Sequence, residues 1–167
     1  ERGDLLTGLD LFDGTSEFVE GGTVLVGDVL DGAGGDDTID GQDGDDRLLG
    51  GEGNDAVTGG LGDDDLTGAQ RGGSNSEADT LTGGAGADLF RLGDGGGLFG
   101  DQAGDLVTIA DFSAGEGDRI VLPGTAGDYV LRDAGDGQTW ELYRSDGTGG
   151  TGVQIAEIVS FEALGLG

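Results

Sequence analysis

The sequence predicts an all-β solenoid in which short parallel strands stack and glycine-rich turns reverse the chain between them. Three observations predict it. Reading in nines from Gly32 gives GAGGDDTID, GQDGDDRLL, GGEGNDAVT and GGLGDDDLT without a break to Thr67. Self-similarity at a fixed short period marks a solenoid, whose units bury their apolar faces only against their neighbours. Each unit ends with one apolar residue between mostly polar ones, as in Thr38-Ile39-Asp40, the period-2 pattern of a short half-buried strand. Finally, 41 of the 167 residues are Gly and 1 is Pro, which supplies the positive φ and close backbone approach that tight turns need.

The elements follow in order. RGDLLTG at 2–8 is a weak echo of the repeat, and VGDVLD at 26–31 keeps its aspartate and apolar residue without its glycines. Residues 1–26 are therefore read as a degenerate N-terminal repeat or lead-in, 27–91 as the stack of nonapeptides, and 92–167 as a C-terminal β cap. A fifth unit begins at Gly68, is interrupted within GAQRGGSNSEADTLT, and recovers its phase at Asp79 and Leu81. The sixth, GGAGADLFR, starts at Gly83. Leu30, Ile39, Leu48, Val57, Leu66, Leu81 and Phe90 are expected to point inward.

Charge narrows the partners. The chain carries 35 acidic residues against 7 Arg, a net charge of -28, with no Cys, Met or His. Such a chain repels itself strongly unless cations neutralise it, so cations are the first partner to expect. Nucleic acid is disfavoured, since phosphate binding needs clustered Arg or Lys. No run of apolar residues is long enough to span a membrane. Low hydrophobicity with high charge is also the signature of disorder, which is the alternative reading for the chain without ligand. The chain opens at Glu1 without a basic start and apolar run, so no Sec-type signal is expected and the sequence reads as part of a longer protein.

Two nonapeptides make one flattened coil, so each aspartate should lie above the one eighteen residues away, at a strand spacing of roughly 4.8 Å. Bare carboxylates at that distance repel by about 3 kcal/mol per pair at an effective dielectric near 20. Something positive must lie between them. Oxygen donors alone, carboxylates supplemented by turn carbonyls, select a hard cation, and the flexible geometry favours Ca²⁺ over Mg²⁺ or a transition metal.

The units at 50–58, 59–67 and 83–91 match most fully the consensus G-G-x-G-x-D-x-apolar-x, and the segment resembles the RTX (repeats-in-toxin) calcium-binding family. The resemblance implies a right-handed parallel β-roll with a Ca²⁺ between each turn and the turn one coil later. It implies that the earlier turn gives its aspartate and the carbonyls of its second and fourth residues, and the later turn its aspartate and the carbonyls of its first and third. Carried over, Asp37 and Asp55 share an ion with the carbonyls of Ala33, Gly35, Gly50 and Glu52. Asp46 and Asp64 share one with those of Gln42, Gly44, Gly59 and Leu61. Asp55 with Asp79 (carbonyls of Gly51 and Gly53) and Asp64 with Asp88 (carbonyls of Gly60, Gly62, Gly83 and Ala85) continue the two rows, if the insertion bulges out of the turn near 70–77. Asp28 with Asp46 extends one row backward. About five ions are expected in all. Asp36, Asp45 and Asp63 read as solvated surface charges.

After Phe90 the rhythm stops. GDLVTIADFSAGEGDRIVL at 104–122 resembles the capping segment that follows such rolls, with Asp105, Ile109 (shifted by two) and Asp111-Phe112 standing for its D-x-I-x-D-F stretch. Asp105 and Asp111 are candidates to close a final calcium site, or are surface carboxylates beside a strand. DYVLRD and TWELYRS read as a hairpin, and GVQIAEIVSFEALGLG as a final strand. Trp140, Tyr129, Tyr143 and Phe161 are expected to form the cap's core rather than a ligand platform, since an open solenoid end exposes apolar side chains and unpaired backbone.

The leading functional expectation is a calcium-binding module that folds on reaching a calcium-rich exterior. By resemblance it is secreted, the C-terminal part of a bacterial protein exported by type I secretion, with a partner domain on its N-terminal side. The alternative is an accessory module that contacts polysaccharide or a cell surface, within a secreted protease, lipase or alginate epimerase or an adhesin; Arg91, Arg119, Arg132 and Arg144 are its cationic residues. Catalysis within these residues is not expected, because the chain lacks the His and Cys of a triad, an H-E-x-x-H site or a thiol nucleophile.

Overall fold

The computed structural model describes residues 5–7, 27–69, 77–94, 97–98, 105–145 and 151–160. The expected alternation of short strands and turns is present throughout the repeats. Strands β1 (Leu5–Thr7), β2 (Val29–Asp31), β3 (Thr38–Asp43), β4 (Arg47–Gly51), β5 (Ala56–Leu61), β6 (Asp65–Ala69), β7 (Ala78–Ala85) and β8 (Leu89–Arg91) come first. A short pair follows, β9 (Gly93–Asp94) and β10 (Gly97–Leu98). The tail holds β11 (Leu106–Phe112), β12 (Arg119–Val121), β13 (Tyr129–Asp133), β14 (Thr139–Ser145) and β15 (Thr151–Ser160).

From β2 on, successive repeat strands alternate between two sheets, ordered β1-β3-β5-β7-β11-β15-β14-β13 and β12-β8-β6-β4-β2. This is the β-roll. Parallel neighbours align apolar residue on apolar residue: Ile39 with Val57, Val57 with Leu81, Leu48 with Leu66 and Leu66 with Phe90. The weak N-terminal echo is in phase as well, with Leu6 opposite Ile39. Ile39, Leu48, Val57, Leu66, Leu81 and Phe90 are buried, and Leu30 packs half-buried against them. Each strand thus contributes a single side chain to a narrow core, because period-2 alternation sends its neighbours outward. Fully burying a Leu- or Phe-sized side chain is worth about 1.5–3 kcal/mol, so the core gains little per residue.

The parallel stacking continues beyond Arg91. β11 adds to β7 with Ile109 opposite Leu81, and β12 adds to β8 with Ile120 opposite Phe90. Phe112 closes over Phe90, with ring centroids 6.3 Å apart. β15 then pairs parallel with β11, and β14 and β13 continue antiparallel, β13–β14 forming the expected hairpin.

The aromatic cap differs from expectation in part. Trp140 and Tyr129 pack against the core, and the Tyr129 hydroxyl donates to Pro123 O at 2.5 Å. Tyr143 instead lies with Arg132 over its ring at 5.6 Å and donates its hydroxyl to Glu141 at 3.0 Å. The reason is alternation: Trp140 and Leu142 take the inner face of β14, leaving Glu141 and Tyr143 on the outer one. Phe161 lies outside the described residues. No helix among the described residues is long and apolar enough to cross a membrane.

Candidate metal centre

The sixth position of each repeat, just before each strand, stacks into two rows of carboxylates on opposite sides of the roll. In each step the backbone N–H of one aspartate donates to Oδ1 of the aspartate one coil later. Asp28 gives to Asp46 (2.6 Å), Asp46 to Asp64 (2.8 Å) and Asp64 to Asp88 (3.0 Å) in one row; Asp37 to Asp55 (2.8 Å) and Asp55 to Asp79 (3.1 Å) make the other. The sequence separation widens from 18 to 24 residues across the insertion while the pairing is kept. Every carboxylate pair expected to share an ion within the repeats is therefore adjacent.

Oδ1 of Asp46, Asp55, Asp64, Asp79 and Asp88 accepts this bond. The Oδ2 atoms of Asp46, Asp55, Asp64 and Asp88 are buried and have no hydrogen-bond partner. An unpartnered buried carboxylate oxygen is costly, so such a repeated arrangement calls for a positive ligand. The first glycine of each repeat makes the space. A Cβ on Gly50 would lie 2.5 Å from both Asp55 Oδ2 and Gly68 O, and one on Gly59 would lie 2.6 Å from Gly83 O and collide with Asp64 Oδ2. One on Gly41 would collide with Asp46 Oδ2 and lie 2.7 Å from Gly59 O. Two donors assigned by resemblance to one ion, Asp46 and the Gly59 carbonyl, thus border the same small space. Asp64 and the Gly83 carbonyl do likewise.

Glycine serves a second purpose at positions two and four, where φ is positive, as in Gly51 (118°) and Gly53 (131°). The first two repeats place Ala33 (66°) and Gln42 (76°) in the same left-handed region without that freedom.

Burial pushes the carboxyls of Asp64 and Asp79 up to about 7 and that of Asp88 to about 6; amide hydrogen bonds oppose this and neighbouring carboxylates add to it. Burial likewise raises Asp46, Asp55, Glu77 and Asp118. Among the described residues no three acidic side chains converge on one point as a ready metal cluster. The expected donors account for this: two carboxylates per ion, with the rest from backbone. Several of those carbonyls are here engaged turn to turn, Ala33 O with Glu52 N (3.1 Å), Glu52 O with Gly35 N (2.7 Å), Leu61 O with Gly44 N (2.8 Å) and Ala85 O with Gly62 N (2.9 Å). The residues fit a hard cation by donor chemistry, by the orphaned Oδ2 atoms and by the space the glycines leave.

Asp105 and Asp111 do not meet. They stand at opposite ends of β11, about 20 Å of strand apart at 3.3 Å per residue. Asp105 Oδ1 accepts from Glu77 N (3.1 Å), while the two oxygens of Asp111 accept from Gly83 N and Gly84 N (2.9 Å each). Each belongs to a different row. The shift of Ile109 by two sets the place of Asp105: with Ile109 opposite Leu81, Asp105 falls beside Glu77 rather than Asp79.

The residue that does continue the row is Asp118, which accepts from Asp88 N at 3.0 Å and from Ser113 N at 2.8 Å. Its signal was in the sequence. GEGDRIV at 115–121 keeps two glycines, the aspartate and the apolar residue two positions later, a worn seventh repeat. Of the arginines, Arg91 is held by Asp65 through two contacts, at 2.5 and 2.9 Å.

No curated protein sequence matches this chain. A solved structure, the AlgE6R3 subunit of the Azotobacter vinelandii mannuronan C5-epimerase, is 27% identical over 89% of this chain and 77% of its own, with a TM-score of 0.25. At that score the likeness adds nothing to the fold described above. The model of the RTX calcium-binding nonapeptide repeat (4 copies) matches residues 27–57, 40–70 and 74–98. With two rows of stacked aspartates on a β-roll, residues 27–70 and 74–98 carry RTX calcium-binding nonapeptide repeats.

Proposed function

We propose that the roll binds Ca²⁺ between successive turns on both sides and folds when it does so, serving as a calcium-dependent module of a longer exported bacterial protein. The carrying observation is the set of buried, unpartnered Oδ2 atoms on Asp46, Asp55, Asp64 and Asp88. Asp37, Asp55 and Asp79 hold the ions of one row; Asp28, Asp46, Asp64 and Asp88 hold those of the other, with the turn carbonyls of positions one to four. Bound cations supply the charge that offsets the stacked carboxylates. Because the narrow core gives little burial energy, binding to the folded state alone, worth RT ln(1 + [L]/Kd) per site, decides whether the roll folds. Extracellular fluid is richer in calcium than cytoplasm, and a chain kept unfolded before export is suited to passing through a type I secretion channel. That route and the parent protein's activity rest on the family resemblance.

Calorimetric titration with native mass spectrometry tests the reading. About five Ca²⁺ should bind with a gain of β structure, and Mg²⁺ should substitute poorly because it demands octahedral geometry and dehydrates reluctantly. Uptake of no calcium, or equal response to the two ions, contradicts it.

A further inference from the structure

The fifth position of the repeat precedes each row aspartate. Its side chains Asp36, Asp45, Asn54 and Asp63 are exposed, in keeping with surface charges. They also form a second ladder. Asp36 Oδ1 accepts from Asn54 N (2.9 Å) and Asn54 Nδ2 (3.0 Å), Asp45 Oδ1 from Asp63 N (2.9 Å), Asn54 Oδ1 from Ala78 N (2.9 Å) and Asp63 Oδ1 from Ala87 N (2.8 Å). This ladder runs against the first: here the later coil's amide donates to the earlier coil's side chain. It ends at Ala78 and Ala87, which donate an amide but bring no side-chain acceptor.

The held N–H shares a planar trans peptide with the carbonyl of position four, and the two point in opposite directions. Asp45 draws the N–H of Asp63 toward the earlier coil, so Gly62 O faces the later one. There it lies against Gly86, where an added Cβ would collide with it. Asp36 does the same through Asn54 for Gly53 O. These are the fourth-position carbonyls that the resemblance gives to the ions of Asp64 with Asp88 and Asp55 with Asp79.

We infer that the fifth-position side chains are positioning residues for calcium: Asp45 and Asp36, which touch no ion themselves, aim the Gly62 and Gly53 carbonyls one coil away. The inference rests on the calcium reading above. It requires an acceptor at this position, not a charge, since Asn54 makes the same bond in the same place with a neutral amide.

The test is calcium titration of the full chain by calorimetry for the unaltered protein, Asp45→Ala, Asp45→Asn and Asp36→Ala. Loss of one exposed hydrogen bond of about 0.5–1.5 kcal/mol corresponds to a roughly two- to tenfold rise in half-saturating calcium. Asp45→Ala and Asp36→Ala should show that rise. Asp45→Asn should stay within about twofold of the unaltered chain, since an exposed charge is screened. Equal losses for Asp45→Asn and Asp45→Ala would overturn the inference in favour of bulk charge, and no loss in either alanine variant would overturn it outright. No calcium uptake by the unaltered chain would instead defeat the calcium reading and this inference with it, so the two failures are separable.

Discussion

The repeat roll and the tail sheet share one eight-stranded hydrogen-bonded framework but bury different things. Inside the roll a single column of apolar side chains runs beside buried Asp37, Asp46, Asp55, Asp64, Asp79 and Asp88. In the tail, β13–β15 pack Leu142, Ala156 and Ile158 with Leu131, Trp140 and Tyr129, and no carboxylate after Asp118 is buried among the described residues. The comparison teaches where a cation matters. A sheet with an ordinary apolar face needs none, whereas on the proposed reading a roll that stacks ionised carboxylates every coil is closed by one.

The largest expected effect comes from separating the two regions. Truncation after Arg91 removes β11, β12 and β15 and opens the end of the core at Leu81 and Phe90. The shortened chain should stay largely coil by circular dichroism at calcium concentrations that fold the whole chain. Undiminished folding would make the tail an independent element.

Core deletions sharpen the contrast. Phe90→Ala should cost about 3–5 kcal/mol in calcium-saturated denaturant unfolding. Trp140→Ala in the tail, where the ring is only half-buried, should cost roughly half as much. Equal costs would mean that the roll's column is not the tighter core.

Glycine substitutions ask the same question of the turns. Gly59→Ala places a Cβ against Asp64 Oδ2 and Gly83 O and should cost about 1–3 kcal/mol with loss of calcium uptake. Gly135→Ala in the tail hairpin meets nothing within 4 Å and has only its φ of 95° against it. It should cost about 1 kcal/mol and leave uptake unchanged.

The effect of pH on the metal-free chain has opposite sign in the two regions. Asp64 and Asp79 rise from an ordinary 3.8 to about 7 in the folded roll. Their contribution is full below the unfolded value and is lost as pH rises through about 7. In chelator the roll should therefore show more β structure at pH 5 than at pH 8. Asp136, at the β13–β14 turn, is held down at about 2 by the amides of Gln138 and Thr139 and the Thr139 hydroxyl. Its contribution is present above 3.8 and fades as pH falls through about 2. A roll that loosened on acidification in chelator would contradict the burial of its carboxylates.

The roll was legible because its register is written in residue types: each D-x-apolar step fixes one turn, one ligand position and one core residue, and the phase is recovered at Asp79 and Leu81 after the insertion. Legibility failed where function is shared with backbone or position is set by a partner strand. Asp118 was missed because GEGDRIV lacks the full glycine set, and Asp105 was misplaced because the β7–β11 register, not spacing along the chain, decides its neighbour. Tyr143 is expected in the cap's core because an open solenoid end needs covering, although period-2 alternation puts it on the face opposite Leu142. The fifth-position ladder was hidden because an exposed aspartate that receives an amide from the next coil looks, in sequence, like any solvated charge.

Amide hydrogen exchange on the full chain, in chelator and in millimolar Ca²⁺, tests the central claim most directly. The amides of Asp37, Asp46, Asp55 and Asp64, bonded between coils, should exchange as free chain in chelator and become strongly protected with calcium. Protection of those amides unchanged between the two conditions would contradict the account, because a roll that closes over its stacked carboxylates unaided needs no cation to fold.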